Sequence, residues 1–468
     1  MNTVKRARFQ ALLFAALIGV VYFFEPATNI YHNDQGQLIN NALAANHAGV
    51  PVQLGLMGNY GVRYGPVPSW FYQGALRLTT SLATVTTTKI VVTLFAVLAA
   101  LAVTAVECDL SLPACLLCLC GYGAFWSTRD LWDNCFLLPF GAVLFAFVAS
   151  WLRKPSGIRL AGILLATWLL VHTHLMSLML VAGTVPPALW ARRDFLLRNR
   201  ALAAVLLLGF GASLVPYVAY VAGHASPPSG PMAQTFSQKL GFVLRIPEFY
   251  VVPESLAHSV QGYFAVLGPA YIMVWYATFG LYGLYYAGLA IATVDAFSAA
   301  RRGWRRDLAR ITLLVFVLHV VFYLSTRAQL YSHYINALWF VSAYWVARAA
   351  DCLARWTPGR CALVAYAGSC LFALAVFTQY ISLRGGIYND PCLANQMQAV
   401  REVDALTGDG SVDIQVPFWR EYPLNFSTLR TLDRASGSRP VGTGPGCRVV
   451  YRGRDQGRSL WYTAKAGP

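Results

Sequence analysis

Apolar residues along this chain fall into long, nearly unbroken runs rather than the alternating pattern of a half-buried sheet. Runs of the size needed to cross about 30 Å of hydrocarbon, roughly 20 residues each, recur over 10–24, 89–106, 110–125, 135–152, 201–222, 269–294, 311–324, 333–350 and 361–380. A further stretch, 160–190, is too long for one crossing and short for two. Basic clusters decide it: Arg153, Lys154 and Arg159 precede it, and Arg192, Arg193, Arg198 and Arg200 follow it. If both clusters face the cytoplasm, the chain crosses twice between them. The pattern therefore predicts eleven transmembrane helices, with the N-terminus cytoplasmic and the C-terminus outside.

Composition agrees, with 57% of the 468 residues hydrophobic, 12% charged and a mean hydropathy of +0.50. This is an all-α polytopic membrane protein in expectation, not a soluble globule. With that topology, eighteen Lys and Arg fall in the cytoplasmic segments against six in the outer loops. The formal net charge of +16 is thus mostly a topology signal plus a basic tail. The charges cluster on no single soluble face, which argues against nucleic-acid binding. Lys5, Arg6 and Arg8 before the first run, with no small-x-small cleavage site after it, read as a retained signal anchor.

Polar segments divide the chain unequally. Residues 1–382 form the expected membrane domain, including long outer loops at 25–88 and 223–268, and residues 383–468 form a small α/β extracytoplasmic domain. In that tail a helix is expected over 391–406 and a strand over 411–416. In the first loop, Leu38, Ile39, Ala42 and Leu43 make one apolar helical stripe. Trp70, Phe71, Gly74, Ala75 and Leu78 make another, after Pro68. The Gly- and Pro-rich stretch 55–68 between them is expected to be irregular. Cys115, Cys118 and Cys120 sit in an apolar run without a His partner and read as small apolar residues, whereas Cys392 and Cys447 in the tail are candidates for a disulfide.

Carboxylates are scarce on the expected outer side, and Asp34 and Asp133 stand at the mouth of the bundle, where ionisable groups mark function. Asp34 also suits a helix N-cap, and Asp130 and Asp133 suit interfacial caps. Four pieces recur in order on that side: His32-Asn33-Asp34-Gln35; the loop from Gly58 ending in Tyr64-Gly65-Pro66; Ser127-Thr128-Arg129 with Asp133 four residues on; and Arg327 through Tyr334. Val171-His172-Thr173-His174-Leu175-Met176-Ser177 joins them at the apex of the 160–190 hairpin. Together these resemble the GT-C membrane glycosyltransferases, in the branch of protein O-mannosyltransferases and aminoarabinose or galacturonic acid transferases, over roughly residues 10–380. Gln35 departs from the glutamate that many relatives carry there.

The resemblance implies a multi-pass protein of a bacterial plasma (inner) membrane that moves a sugar from a polyprenyl-phosphate donor, with inversion, to a lipid, glycan or protein acceptor. Asp34 is then the catalytic base. Asp133, Arg129, Asp130, Arg63, Tyr64, His174, Arg327, Tyr331, His333 and Tyr334 are candidate substrate contacts, the arginines for the departing phosphate. Arg63 and Tyr64 also suit lipid headgroups, and Tyr331, His333 and Tyr334 an interfacial aromatic belt. Some members of the fold use a divalent metal, for which His32, Asp34 and Asp133 are the candidate ligands. The rival class is a transporter or lipid-linked sugar flippase. Against it stand the gathering of polar residues at one end and the unlike halves of the chain.

Overall fold

The computed structural model describes the chain except for residues 1–2, 30, 32, 59–60, 227–233, 252–270, 299–302, 328–329, 385, 388–389, 408–411, 416–428, 434–446, 452–461 and 467–468. Among the described residues, six helices are long and apolar enough to cross a membrane: Leu82–Glu107, Asp133–Arg153, Arg200–His224, Ile272–Phe297, Trp304–Ser325 and Thr357–Gln379. Apolar but shorter are Phe9–Phe23, Gly157–Val171 and Ser177–Ala191. The last two resolve the ambiguous stretch into a helical hairpin turning at 172–176. Ser156 begins it as an N-cap, its hydroxyl accepting from Arg159 N.

The run expected as one span over 110–125 is not a continuous helix. Pro113 opens a short helix, Leu112–Leu116, a 3₁₀ turn follows over Leu117–Cys120, and the helix resumes at Tyr122–Arg129. Gly121 makes the break, with extended backbone at φ −85° and ψ 154°. A Cβ there would lie 2.5 Å from the carbonyl oxygen of Tyr250, so only glycine allows the two backbones to come this close.

Two hydrophobic clusters hold the molecule. The larger fills the bundle, with Trp151 and Trp345 fully buried at its centre. The smaller lies at the end carrying the first loop, called the loop end below. There Leu38, Ile39 and Ala42 of helix Asn33–Ala48 meet Tyr72, Ala75 and Leu76 of helix Val67–Leu78, with Leu131 and Phe136 below them. The stripe expected in the first of these helices is the buried one. In the second the buried face is rotated: Tyr72 and Gln73 point inward, while Trp70 is 39% and Leu78 88% exposed. The polar tips of the buried pair have partners. Tyr72 Oη donates to Leu131 O (2.6 Å) and Gln73 Nε2 to Val50 O (2.7 Å), which removes the cost of burying them.

After a two-stranded antiparallel pair, Gly386–Ile387 with Asp390–Pro391, the tail forms helix Leu393–Thr407, which is pinned to the first loop: Leu393 N donates to Asn29 O (2.8 Å) and Gln396 Nε2 to Tyr31 O (2.8 Å). Strand Val412–Gln415 pairs in parallel with Cys447–Tyr451, which pairs antiparallel with Tyr462–Ala466. Cys392 is a buried free thiol packed into the larger cluster, so the disulfide expected with Cys447 is not formed. A cavity of about 230 Å³ separates this helix from the start of helix Leu82–Glu107, lined in part by Ala27, Ser81, Leu393, Met397 and Arg401, and it holds none of the candidate site residues.

Candidate active site

The glycine-rich stretch of the first loop carries no strand among the described residues, as expected, but folds back as a short antiparallel hairpin about the isolated bridge Met57–Arg63. Gly55 N donates to Tyr64 O (2.8 Å), Tyr64 N to Leu56 O (2.7 Å) and Gly58 N to Val62 O (2.7 Å). Gly61, at φ +70°, supplies the left-handed residue of its tip. The hairpin is pressed onto the helical-hairpin turn: a Cβ on Gly65 would sit 2.3 Å from His172 O, and Val67 N donates to that same carbonyl (3.3 Å). This docking brings Tyr64 against His174, ring centroids 4.0 Å apart.

Asp34 lies in the first turn of helix Asn33–Ala48, half-buried, within the helix and not capping it. A carboxylate is favoured there by the N-terminal helix dipole. Asp133 opens the 3₁₀ turn Asp133–Phe136 that leads into helix Leu137–Arg153, and it is 2% exposed. Its Oδ1 accepts from Asn134 N (2.7 Å), whereas Oδ2 is buried without a hydrogen-bond partner among the described residues. Such an oxygen is costly to leave without a partner.

Tyr64 ties these groups together. Its phenol is held well above the ordinary range, first by burial and then by the nearby charges of Asp133, Tyr334, Asp34 and Tyr217. Tyr334 is buried beside His333 (4.5 Å between centroids), His333 stacks on the exposed Tyr331 (5.5 Å), and Trp132 lies against His333 (4.4 Å). Asp34, Asp133, Tyr64, His174 and the Tyr331–Tyr334 segment, predicted from distant parts of the sequence, thus converge at the loop end.

His174 is a neutral imidazole with an assignable tautomer. Its Nδ1 accepts from Met176 N (3.1 Å), so the proton resides on Nε2, and burial lowers its pKa to about 3.

The cations distribute differently. Arg129 is 1% exposed, and its guanidinium is spent on the exit of the first helix. Nη1 donates to Phe24 O (2.8 Å), Nη2 to Glu25 O (2.5 Å) and Thr28 Oγ1 (2.9 Å), and Nε to Asn29 Oδ1 (3.3 Å). Its planar donor set thus clamps protein oxygens rather than an open face. Asp130 is fully buried, accepting from Gln35 Nε2 (2.7 Å) and Trp132 N (3.1 Å). Arg63 and Arg327 are exposed; Arg63 Nη1 donates to Gly55 O (3.3 Å), and its backbone is fastened to Tyr217 and Tyr220.

The motifs of the sequence do not show how the rings of this region assemble. A ladder of rings, Trp70, Trp168, His172, Tyr217, Tyr220 and His224, joins the first loop and the hairpin turn to helix Arg200–His224, with neighbouring centroids 4.2 to 6.4 Å apart. The helical spacings 168/172 and 217/220/224 were its signal. Lys89, a lone charge inside an apolar run, was another. It is fully buried and donates to Ser127 O (2.7 Å) and Thr128 O (3.3 Å). For a metal, no group of three His, Cys, Asp or Glu side chains converges among the described residues, and His32 lies outside them.

No family model and no curated protein matches the chain. Solved structures do. The architecture is similar to that of ArnT. The chain aligns with ArnT from Cupriavidus metallidurans in the apo state over 95% of its own length and 93% of that protein's, at a TM-score of 0.57 and 13% identity. It aligns likewise with ArnT from Cupriavidus metallidurans bound to undecaprenyl phosphate, over 94% and 92%, at a TM-score of 0.56 and 13% identity. At that identity the likeness is one of fold.

Proposed function

We propose that this protein is an integral-membrane glycosyltransferase that transfers a sugar from a polyprenyl-phosphate donor to an acceptor hydroxyl. The observation that carries the reading is the convergence of Asp34 and Asp133 on Tyr64 at one end of a bundle with this fold. A structural neighbour binds undecaprenyl phosphate, which is the chemistry the donor's lipid would present. In this reading the loop end faces away from the cytoplasm of a bacterial inner membrane. Residues 383–468 then form a small outer domain seated on the first loop.

Attack on the anomeric carbon with inversion needs one base and a held phosphate. Asp34 takes the proton of the acceptor hydroxyl, a contribution of about 10² to 10⁴ in rate. Oδ2 of Asp133, which has no hydrogen-bond partner among the described residues, accepts from a sugar or acceptor hydroxyl. His174 donates through Nε2–H, and the ring of Tyr64 beside it forms a wall of the pocket. Arg63 and Arg327, the exposed cations, meet the lipid phosphate, while Arg129 holds the scaffold. Tyr331, His333 and Tyr334 line the sugar side. The acceptor is a glycolipid, a polysaccharide or a protein.

The test is turnover of labelled polyprenyl-phosphate sugars by the purified protein in detergent. Transfer without two compartments supports the enzyme and excludes pure translocation. Absence of transfer with every lipid-linked sugar and acceptor supplied would overturn the reading.

A further inference from the structure

One buried contact beside the carboxylates takes no part in that chemistry. Gln35 directly follows Asp34 in the first turn of its helix, and its side-chain amide donates to Asp130 Oδ1 at 2.7 Å. Both side chains are completely buried. Asp130 lies three residues before Asp133, where helix Tyr122–Arg129 ends. The same Oδ1 accepts from Trp132 N (3.1 Å), so one oxygen binds the helix carrying Asp34 and the backbone that runs on to Asp133.

The approach to that junction is fixed as well. Lys89 holds the carbonyls of Ser127 and Thr128, which belong to the last turn of helix Tyr122–Arg129 and have no partner within it. The ammonium also lies over the ring of Phe136, 5.1 Å from its centroid, at the far end of the 3₁₀ turn that Asp133 begins. Asn29 Nδ2 donates to Arg129 O (2.5 Å), which fastens the next carbonyl to the first loop. Residues 127 to 132 are thereby held from the span below and from the loop above, and Gln35–Asp130 is a side-chain bond that reaches the Asp34 helix itself.

We propose that the Gln35–Asp130 pair is a positioning latch that sets the distance between Asp34 and Asp133, and that residue 35 is an amide because its partner is a carboxylate. Glutamate at 35 would place two carboxylate oxygens in contact at a fully buried position, which opens the latch. Gln35 and Asp130 touch no substrate; they act through their neighbours. The inference deepens the glycosyl-transfer reading and rests on it for its kinetic readout.

The experiment uses the full-length protein in detergent and three forms: the parent, Gln35→Glu, and Gln35→Glu with Asp130→Asn. The single variant is expected to lose about 10²-fold in kcat, the scale of an ångström-sized misplacement, with the donor KM within about twofold of the parent. In the double variant the new amide donates to position 35 from the place of Oδ1, restoring the side-chain bond with donor and acceptor exchanged while giving up the bond from Trp132 N. It is expected to recover at least about tenfold over the single variant. A Gln35→Glu form as fast as the parent, or a double variant no faster than the single one, overturns the latch. If the parent transfers no lipid-linked sugar, the proposed function fails and the latch is read from thermal unfolding instead. A lowered Tm in the single variant and a restored Tm in the double one support it, and three equal values, or no restoration, refute it.

Discussion

Tyr64 and His174 face each other with ring centroids 4.0 Å apart and planes inclined at 37°, although 110 positions separate them in the chain. That contact closes the first loop over the helical-hairpin turn, and its geometry depends on Gly65, which has no room for a Cβ against His172 O. Gly65→Ala is therefore expected to push the loop away. The cost is about 1 to 3 kcal/mol, typical of overpacking, and transfer falls much more than stability does. Thermal unfolding and turnover measured on one preparation check it; equal losses in both would indicate general unfolding.

Arg129 makes four hydrogen bonds to the exit of the first helix and offers its guanidinium to protein oxygens. Arg129→Lys replaces a planar set of donors with a point charge that cannot span those acceptors. We expect a loss of about 3 kcal/mol from two or more charge-assisted bonds, with the donor KM of the folded fraction unchanged. A raised KM without loss of stability would return Arg129 to the phosphate.

Asp133 carries a buried oxygen without a partner among the described residues. The isosteric replacement Asp133→Asn removes a carboxyl buried without a full set of partners among the described residues, so stability stays level or rises. Transfer is expected to fall by about 10²-fold, the lower end of what one site group supplies. A variant that is both destabilised and fully active would contradict the role given to this carboxylate.

Burial holds the His174 pKa at about 3, against an ordinary value near 6.5. The unfolded chain then binds a proton between those values that the folded protein refuses. Stability is unaffected by this group above about pH 6.5 and is lost as pH falls from there toward 3, at about 1.4 kcal/mol per unit. His174→Gln is expected to flatten that part of the Tm–pH curve. The same acid slope in the variant and the parent would exclude His174 as its source.

Much of this was legible in the sequence, for reasons that can be named. The helical hairpin of 160–190 was readable because Arg153 to Arg159 and Arg192 to Arg200 bracket it. The carboxylates were readable because charge is rare at that end of the chain. What escaped were features set by tertiary contact. The buried face of helix Val67–Leu78 was misread because Tyr72 and Gln73 look polar until Leu131 O and Val50 O are available to them. The 110–125 run breaks at Gly121 because the Tyr250 backbone passes there, and composition does not record that. Arg129 has the sequence context of a phosphate ligand, and only the path of residues 24–29 reveals its acceptors. Cys392 was drawn toward a disulfide by its tail position, whereas Leu393 N bonded to Asn29 O sinks it into the bundle.

The account turns on Asp34 as the proton acceptor, and Asp34→Asn tests it most directly. The parent and the variant, purified side by side in detergent, are given labelled polyprenyl-phosphate sugar and acceptor, and the initial rate of transfer is measured. The account predicts a fall of about 10² to 10⁴ in rate with Tm and membrane insertion unchanged; a variant that transfers sugar at the parent rate would contradict it.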